Sequence, residues 1–94
     1  MVKEFEKVIN RSKTDLVLEQ LLLSIKQKNY GVGERIPTEK KISEEMEVSR
    51  AVVREALTTL RSIGVVESKV GKGSFVRNYD KDLIEAVLKS INRK

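Results

Sequence analysis

Val48-Ser49-Arg50-Ala51-Val52-Val53-Arg54-Glu55-Ala56-Leu57-Thr58-Thr59-Leu60-Arg61-Ser62-Ile63-Gly64 reads as a helix with both ends marked. Ser49 suits the N-cap, where its hydroxyl takes a free amide of the first turn. Gly64 suits the left-handed position just past a helix end. Between them Val52, Val53, Ala56, Leu57, Leu60 and Ile63 recur at helical spacing and make one apolar stripe. Arg50, Arg54, Thr58 and Arg61 fall on another side, three or four residues apart, so they project together. Such a helix is able to enter a DNA major groove, where a guanidinium bonds the O6 and N7 of guanine. Taken alone, the stretch reads more simply as the solvated face of an ordinary amphipathic helix. The flanking segments decide.

Upstream, a first helix is expected to start near Ser12, with Asp15 completing a variant of the capping box. Leu18, Leu21, Leu22 and Ile25 form its apolar stripe, and Lys26 and Lys28 suit the negative end of its dipole. The two glycines of Asn29-Tyr30-Gly31-Val32-Gly33 mark its end. Glu34-Arg35-Ile36 is a short extended piece, because Ile36 precedes Pro37 and is pushed out of the helical region. Thr38 caps a second helix over residues 38–46, with Glu39 in its first turn and Ile42 and Met46 facing inward. The short link Glu47-Val48 then leads into the helix opened by Ser49. Two helices joined this closely, the second with an exposed basic face, form a helix-turn-helix.

Beyond Gly64 the period changes from 3.6 to 2. Val66, Ser68 and Val70 alternate with Glu67 and Lys69, followed by Gly71-Lys72-Gly73 and Ser74-Phe75-Val76-Arg77. The pattern predicts a β-hairpin whose glycine-rich tip carries Lys72 at its apex. Asp80 caps a last helix with Leu83, Ile84, Val87, Leu88 and Ile91 on one broad side. That side packs on the first helix, meets a partner chain, or begins a further domain. The expected fold is therefore mainly α with a small β-hairpin wing, a winged helix-turn-helix. Residues 1–11 form an N-terminal arm and residues 12–77 the winged helix-turn-helix domain. Residues 78–94 form a C-terminal helix, either a linker to an effector domain outside these residues or a dimerisation helix.

Ninety-four residues suit one small domain, and 35% charged against 39% apolar residues suits a globular chain. The net charge of +5 makes an acidic partner plausible. Residues 34–77 hold nine Lys/Arg against seven Asp/Glu, so a basic patch must come from how the faces are sorted. The chain has no cysteine and no histidine, which removes disulfides and the commonest acid-base, nucleophilic and zinc chemistries. Glu44, Glu45 and Glu47 read as solvated surface. Asp80 and Asp82 lack a third ligand at loop spacing. Gly71-Lys72-Gly73-Ser74 lacks the upstream glycine and following helix of a phosphate loop. No catalytic residue, metal ligand or cofactor site is therefore expected, and the chain does not read as an enzyme. No apolar run approaches the ~20 residues that span a membrane, and the N-terminus lacks the apolar centre of a signal peptide, so a cytoplasmic location is expected.

The spaced segments Gly33-Glu34-Arg35-Ile36-Pro37-Thr38-Glu39-Lys40-Lys41-Ile42, Val48-Ser49-Arg50, Val53-Arg54-Glu55-Ala56-Leu57, Gly64-Val65-Val66 and Gly71-Lys72-Gly73-Ser74-Phe75-Val76 closely resemble the GntR family of bacterial transcription regulators. The family pattern runs G-E-x-L-P-S-E-R-x-L, V-S-R-x-x-V-R-E-A-L, G-L-V/I and G-x-G-T/S-F-V. The resemblance covers about residues 14–77, and it implies a double-stranded DNA partner. Lys40 stands where the family usually has a DNA-contacting arginine. Arg50 and Arg54 match recognition-helix arginines that reach phosphates and guanine edges. Gly71, Lys72 and Gly73 match the wing tip in or beside the minor groove. Ser49 and Thr38 combine capping with a phosphate bond. Ala51, also counted on the DNA face, replaces with Val52 a frequent Thr-Pro, so one hydroxyl contact is lost. Glu47 replaces a common glycine and puts a carboxylate near the DNA side.

By this resemblance the chain is a sequence-specific regulator, a repressor of a metabolic operon, bound to a palindromic operator as a homodimer. An effector metabolite would act only through a domain absent from this chain, and the tail from Tyr79 to Ile91 looks most like the start of a FadR-type effector domain. The alternative is a winged-helix module for protein-protein contact without specific DNA binding. A membrane-docking role through Leu83 to Ile91 is disfavoured by the few aromatics and the balanced charge of that helix. An RNA-binding role lacks an aromatic platform.

Overall fold

The computed structural model of the chain describes residues 12–92, and the expected arm at residues 1–11 lies outside them. Helix α1 spans Lys13–Lys26, α2 Glu39–Met46 and α3 Arg50–Ser62; strands β1 Val66–Lys69 and β2 Gly73–Val76 follow, then α4 Lys81–Asn92. Each of the first three helices opens on a hydroxyl cap. Ser12 accepts from the Asp15 amide at 3.1 Å, Thr38 from Lys41 at 3.1 Å and Ser49 from Val52 at 3.2 Å. At α4 the Asp80 carboxylate accepts from the Asp82 amide at 2.8 Å.

The helix ends are less uniform. Helix α3 stops as expected: Gly64 has φ +78°, its amide reaches the Arg61 carbonyl, and the Val65 amide reaches that of Leu60. Helix α1 stops earlier than its sequence predicts. Lys28 takes the left-handed conformation with φ 64°, while the Lys28 and Asn29 amides bond the Ile25 and Ser24 carbonyls. The closing hydrogen bonds thus form on a lysine, before Gly31 and Gly33 are reached.

One apolar core joins the elements. Leu22 and Ile25 of α1, Val53 and Leu60 of α3, Val65, Val66 and Ile84 of α4 are almost wholly buried, and Ile36 and Ile42 extend the core under α2. Each such side chain contributes roughly 1.5–3 kcal/mol relative to an exposed position. Ile84, Leu88 and Ile91 close on the same core, and Lys26 and Glu85 form an ion pair where α4 lies against α1. Leu83, on the edge of that stripe, stays 36% exposed.

The strands pair antiparallel in the register Val66↔Val76, Glu67↔Phe75, Ser68↔Ser74 and Lys69↔Gly73. On its other side β2 receives the segment before Pro37. Gly33 donates to Val76, Val76 to Glu34 and Ile36 to Ser74, and Arg35 bridges Phe75. The short extended piece therefore works as a third strand that ties the wing to the helix-turn-helix. Two details of the hairpin differ from the alternation in the sequence. The turn runs from Lys69 to Lys72, closed by the Lys72 amide on the Lys69 carbonyl, so Val70-Gly71 is the apex and Lys72 lies on the return. Val70 is fully exposed rather than continuing the buried face of Val66, because the strand ends at Lys69.

Candidate nucleic-acid interface

Helices α2 and α3 are joined by the short link 47–49, and Glu39 at the start of α2 is tied to Arg54 of α3. Both helices are capped by hydroxyls whose oxygens accept backbone amides, which leaves each O–H free to donate outward. Lys40 in the first turn of α2, and Arg50 and Ala51 in the first turn of α3, are exposed. Among the described residues no hydrogen bond or ion pair engages the side chain of Arg50 or of Lys40, although the Lys40 carbonyl accepts from the Ser43 hydroxyl at 3.2 Å. A basic side chain at a helix N-terminus is poorly matched to the positive end of the dipole, so Arg50 gains nothing from its own helix and is free for an anionic partner.

The other cations of α3 are engaged. Arg54 meets Glu39 of α2 through two bonds, Nη2 to Oε1 at 2.7 Å and Nε to Oε2 at 3.2 Å. Arg61 donates from Nη1 to the Ser68 hydroxyl at 3.2 Å and from Nη2 to the Thr58 hydroxyl at 3.1 Å. Thr58 in turn donates to the Arg54 carbonyl at 2.8 Å. The basic face therefore divides into a free arginine, one held against α2 and one braced against the wing.

Between α3 and the wing lies an open concave surface of about 520 Å³. Its lining carries Arg35, Arg61, Lys69 and Lys72 with a single carboxylate, Glu39, and that carboxylate is already paired with Arg54. Thr38 and the wing residues Gly71 and Gly73 complete the rim. A Cβ at Gly73 would sit 3.1 Å from Cδ of Arg35, and the backbone there has φ +109°, so this position favours glycine twice over. The near-neutral balance of residues 34–77 is thus sorted in space. Four of the nine cations, Arg35, Arg61, Lys69 and Lys72, line the cleft, while exposed Glu44, Glu45 and Glu47 lie toward the far end of α2. Among the described residues no group of three or more acidic side chains is placed to hold a metal ion, and no helix is long and apolar enough to cross a membrane.

The expected site residues fall into two groups. Thr38 and Lys40 lie at the start of α2, and Ser49, Arg50 and Ala51 at the start of α3 with Arg54 one turn on. Gly71, Lys72 and Gly73 lie on the wing, where they line the cleft together with Thr38. Sequence reasoning did not select Arg35 or Lys69. Arg35 reaches the cleft only because its segment pairs with β2, which no local pattern announces. Lys69 sits with its Nζ 4.7 Å from the centre of the Phe75 ring, a cation-π contact set by the cross-strand register.

Comparison with known proteins adds to this geometry. The model of the family described as bacterial regulatory proteins, gntR family, matches residues 13–76. The Uxu operon regulator of Haemophilus influenzae is 40% identical over 74 residues, covering 79% of this chain and 27% of that protein. The regulator LutR of Bacillus subtilis is 33% identical over 64 residues, covering 68% of this chain and 29% of its own length. Among solved structures, the DNA-binding domain of AraR in complex with operator ORR3 superimposes with a TM-score of 0.70 at 29% identity, covering 81% of this chain and 92% of that one. The chain spans little more than a quarter of the length of the two curated relatives.

Proposed function

Because the chain belongs to the GntR family of bacterial regulatory proteins, we propose that it is the sequence-specific DNA-binding part of a transcription regulator. Helix α3 enters the major groove, Arg50 and Arg54 read or clamp the half-site, and the wing lies along the adjacent minor groove. The observation that carries this reading is the cation-lined cleft between α3 and the wing, together with exposed Arg50 at the head of α3. A cleft of this charge suits two phosphate backbones flanking a groove. AraR, whose domain shares the fold at 29% identity, is bound to operator DNA in its structure, which supports the same use here.

Lys40, Thr38 and Ser49 contact phosphates, because a lysine point charge and two cap hydroxyls suit positioning better than base reading. Gly71 brings backbone close to a groove about 6 Å wide. Lys72 closes the turn after Gly71, and Gly73 opens β2. Two copies bind a palindromic operator, one per half-site. Repression of a metabolic operon, a cytoplasmic location and control by an effector domain of FadR type outside residues 1–94 complete the proposal. The name of the Uxu operon regulator supports the regulation of an operon.

Selection of bound duplexes from a random pool, with the chain and its Arg50→Ala/Arg54→Ala variant in parallel, tests the proposal. An enriched palindrome for the parent, absent for the variant, is the expected result. Equal enrichment for both would remove the two arginines from the interface. A parent that binds no duplex at all would favour protein-protein contact instead.

A further inference from the structure

The guanidinium of Arg54 has five N–H donors in one plane, and Glu39 uses two of them. Its Oε2 takes Nε–H and its Oε1 takes one Nη2–H. These donors form the side edge of the group. The end edge, made by one Nη1–H and the second Nη2–H, is left over, and two parallel donors at this spacing match O6 and N7 of guanine. Glu39 is itself fixed. It is the first residue of α2, directly after the Thr38 cap, and its side chain is 28% exposed against 62% for Arg54. The carboxylate therefore grips one edge of a flexible side chain from a rigid helix start and leaves the other edge clear.

The geometry points to Glu39 as the positioning residue that gives Arg54 its guanine specificity. Without the carboxylate, Arg54 is a long cation, 62% exposed, and the nearest anion on a duplex is a phosphate. Freed, it would move to the backbone, where it carries no sequence information. Held, it cannot reach the backbone without losing two charge-assisted bonds, so the contact left open to it is a base edge. A carboxylate facing DNA thus lowers affinity for every sequence and raises discrimination among them. This inference rests on the reading of α3 as a major-groove helix.

The test takes the duplex enriched by the parent and replaces each guanine of the half-site in turn by adenine, with its paired base. Affinities are measured for the parent, Glu39→Gln, Arg54→Ala and the double variant, on these duplexes and on a random one. The parent should lose about tenfold or more at one guanine, the discrimination of a bidentate arginine contact. Glu39→Gln should lose most of that penalty, bind random duplex more tightly than the parent, and show a salt slope steeper by about one phosphate contact. On the Arg54→Ala background the Glu39→Gln change should leave every base penalty as it was. Retention of the full guanine penalty by Glu39→Gln overturns the inference. So does a uniform loss on all duplexes with a lowered melting temperature, which is the signature of a mere strut between α2 and α3. A parent with no preference for any duplex removes the major-groove reading and this inference together.

Discussion

Glu47 stands in the turn between α2 and α3 with φ 54° and ψ 49°, a conformation that side chains with a Cβ adopt at a cost. Glycine there should raise stability by about 0.5–1 kcal/mol, the relief of left-handed strain less the entropy that glycine loses on folding. Thermal melting of Glu47→Gly against the parent checks this, and an unchanged or lower midpoint would mean that the turn carries no strain. The three arginines of α3 make the complementary point. Their spacing puts Arg50, Arg54 and Arg61 on one side of the helix, and that much is legible in the sequence. Their fates differ because Glu39 and Ser68 come from other elements. Residue spacing within a helix says which side chains share a face and nothing about what arrives to meet them.

At the scale of elements, the start of each helix was readable and the stops were less so. Ser12, Thr38 and Ser49 all cap where expected, since a cap bond joins residues three apart in sequence. Helix α1 ends before the glycines that mark its end in the sequence, because Lys28 takes the left-handed position. A cation near the negative end of the helix dipole offsets part of that strain. The wing shows the same division. Its two strands follow from the period-2 alternation, whereas the position of its apex depends on the turn from Lys69 to Lys72. Replacing Gly73 by Ala should cost about 1–3 kcal/mol for the unfavourable φ and displace Arg35 from the cleft. Chemical denaturation would read the first effect, and weaker binding to all duplexes alike would read the second. A Gly73→Ala variant as stable as the parent would refute the strain.

At the scale of the whole molecule, α4 shares the core of the three helices before it. Truncating Leu88 to Ala should destabilise the domain by about 2–4 kcal/mol, since its side chain is only 7% exposed and closes over α1. A loss below about 0.5 kcal/mol, the range of neutral surface changes, would instead make α4 an appendage. DNA binding should weaken steeply with salt, because the cleft brings Arg35, Arg61, Lys69 and Lys72 to one surface. An affinity that hardly changes between low and physiological salt would argue against phosphate contacts there.

The amino-acid sequence alone determined the order of elements, the helix starts, the apolar faces and the family, because each rests on residues close together in the chain or at recurrent spacings. Only the tertiary structure decided how the charges are used. A chain of modest net charge acquires a cationic cleft when Arg35 is carried to the wing by pairing with β2, and Arg54 acquires a fixed direction when Glu39 meets it across the helix turn. Electrostatic contact depends on distance in space, and Glu39 and Arg54 stand on different helices, so no local pattern carries it.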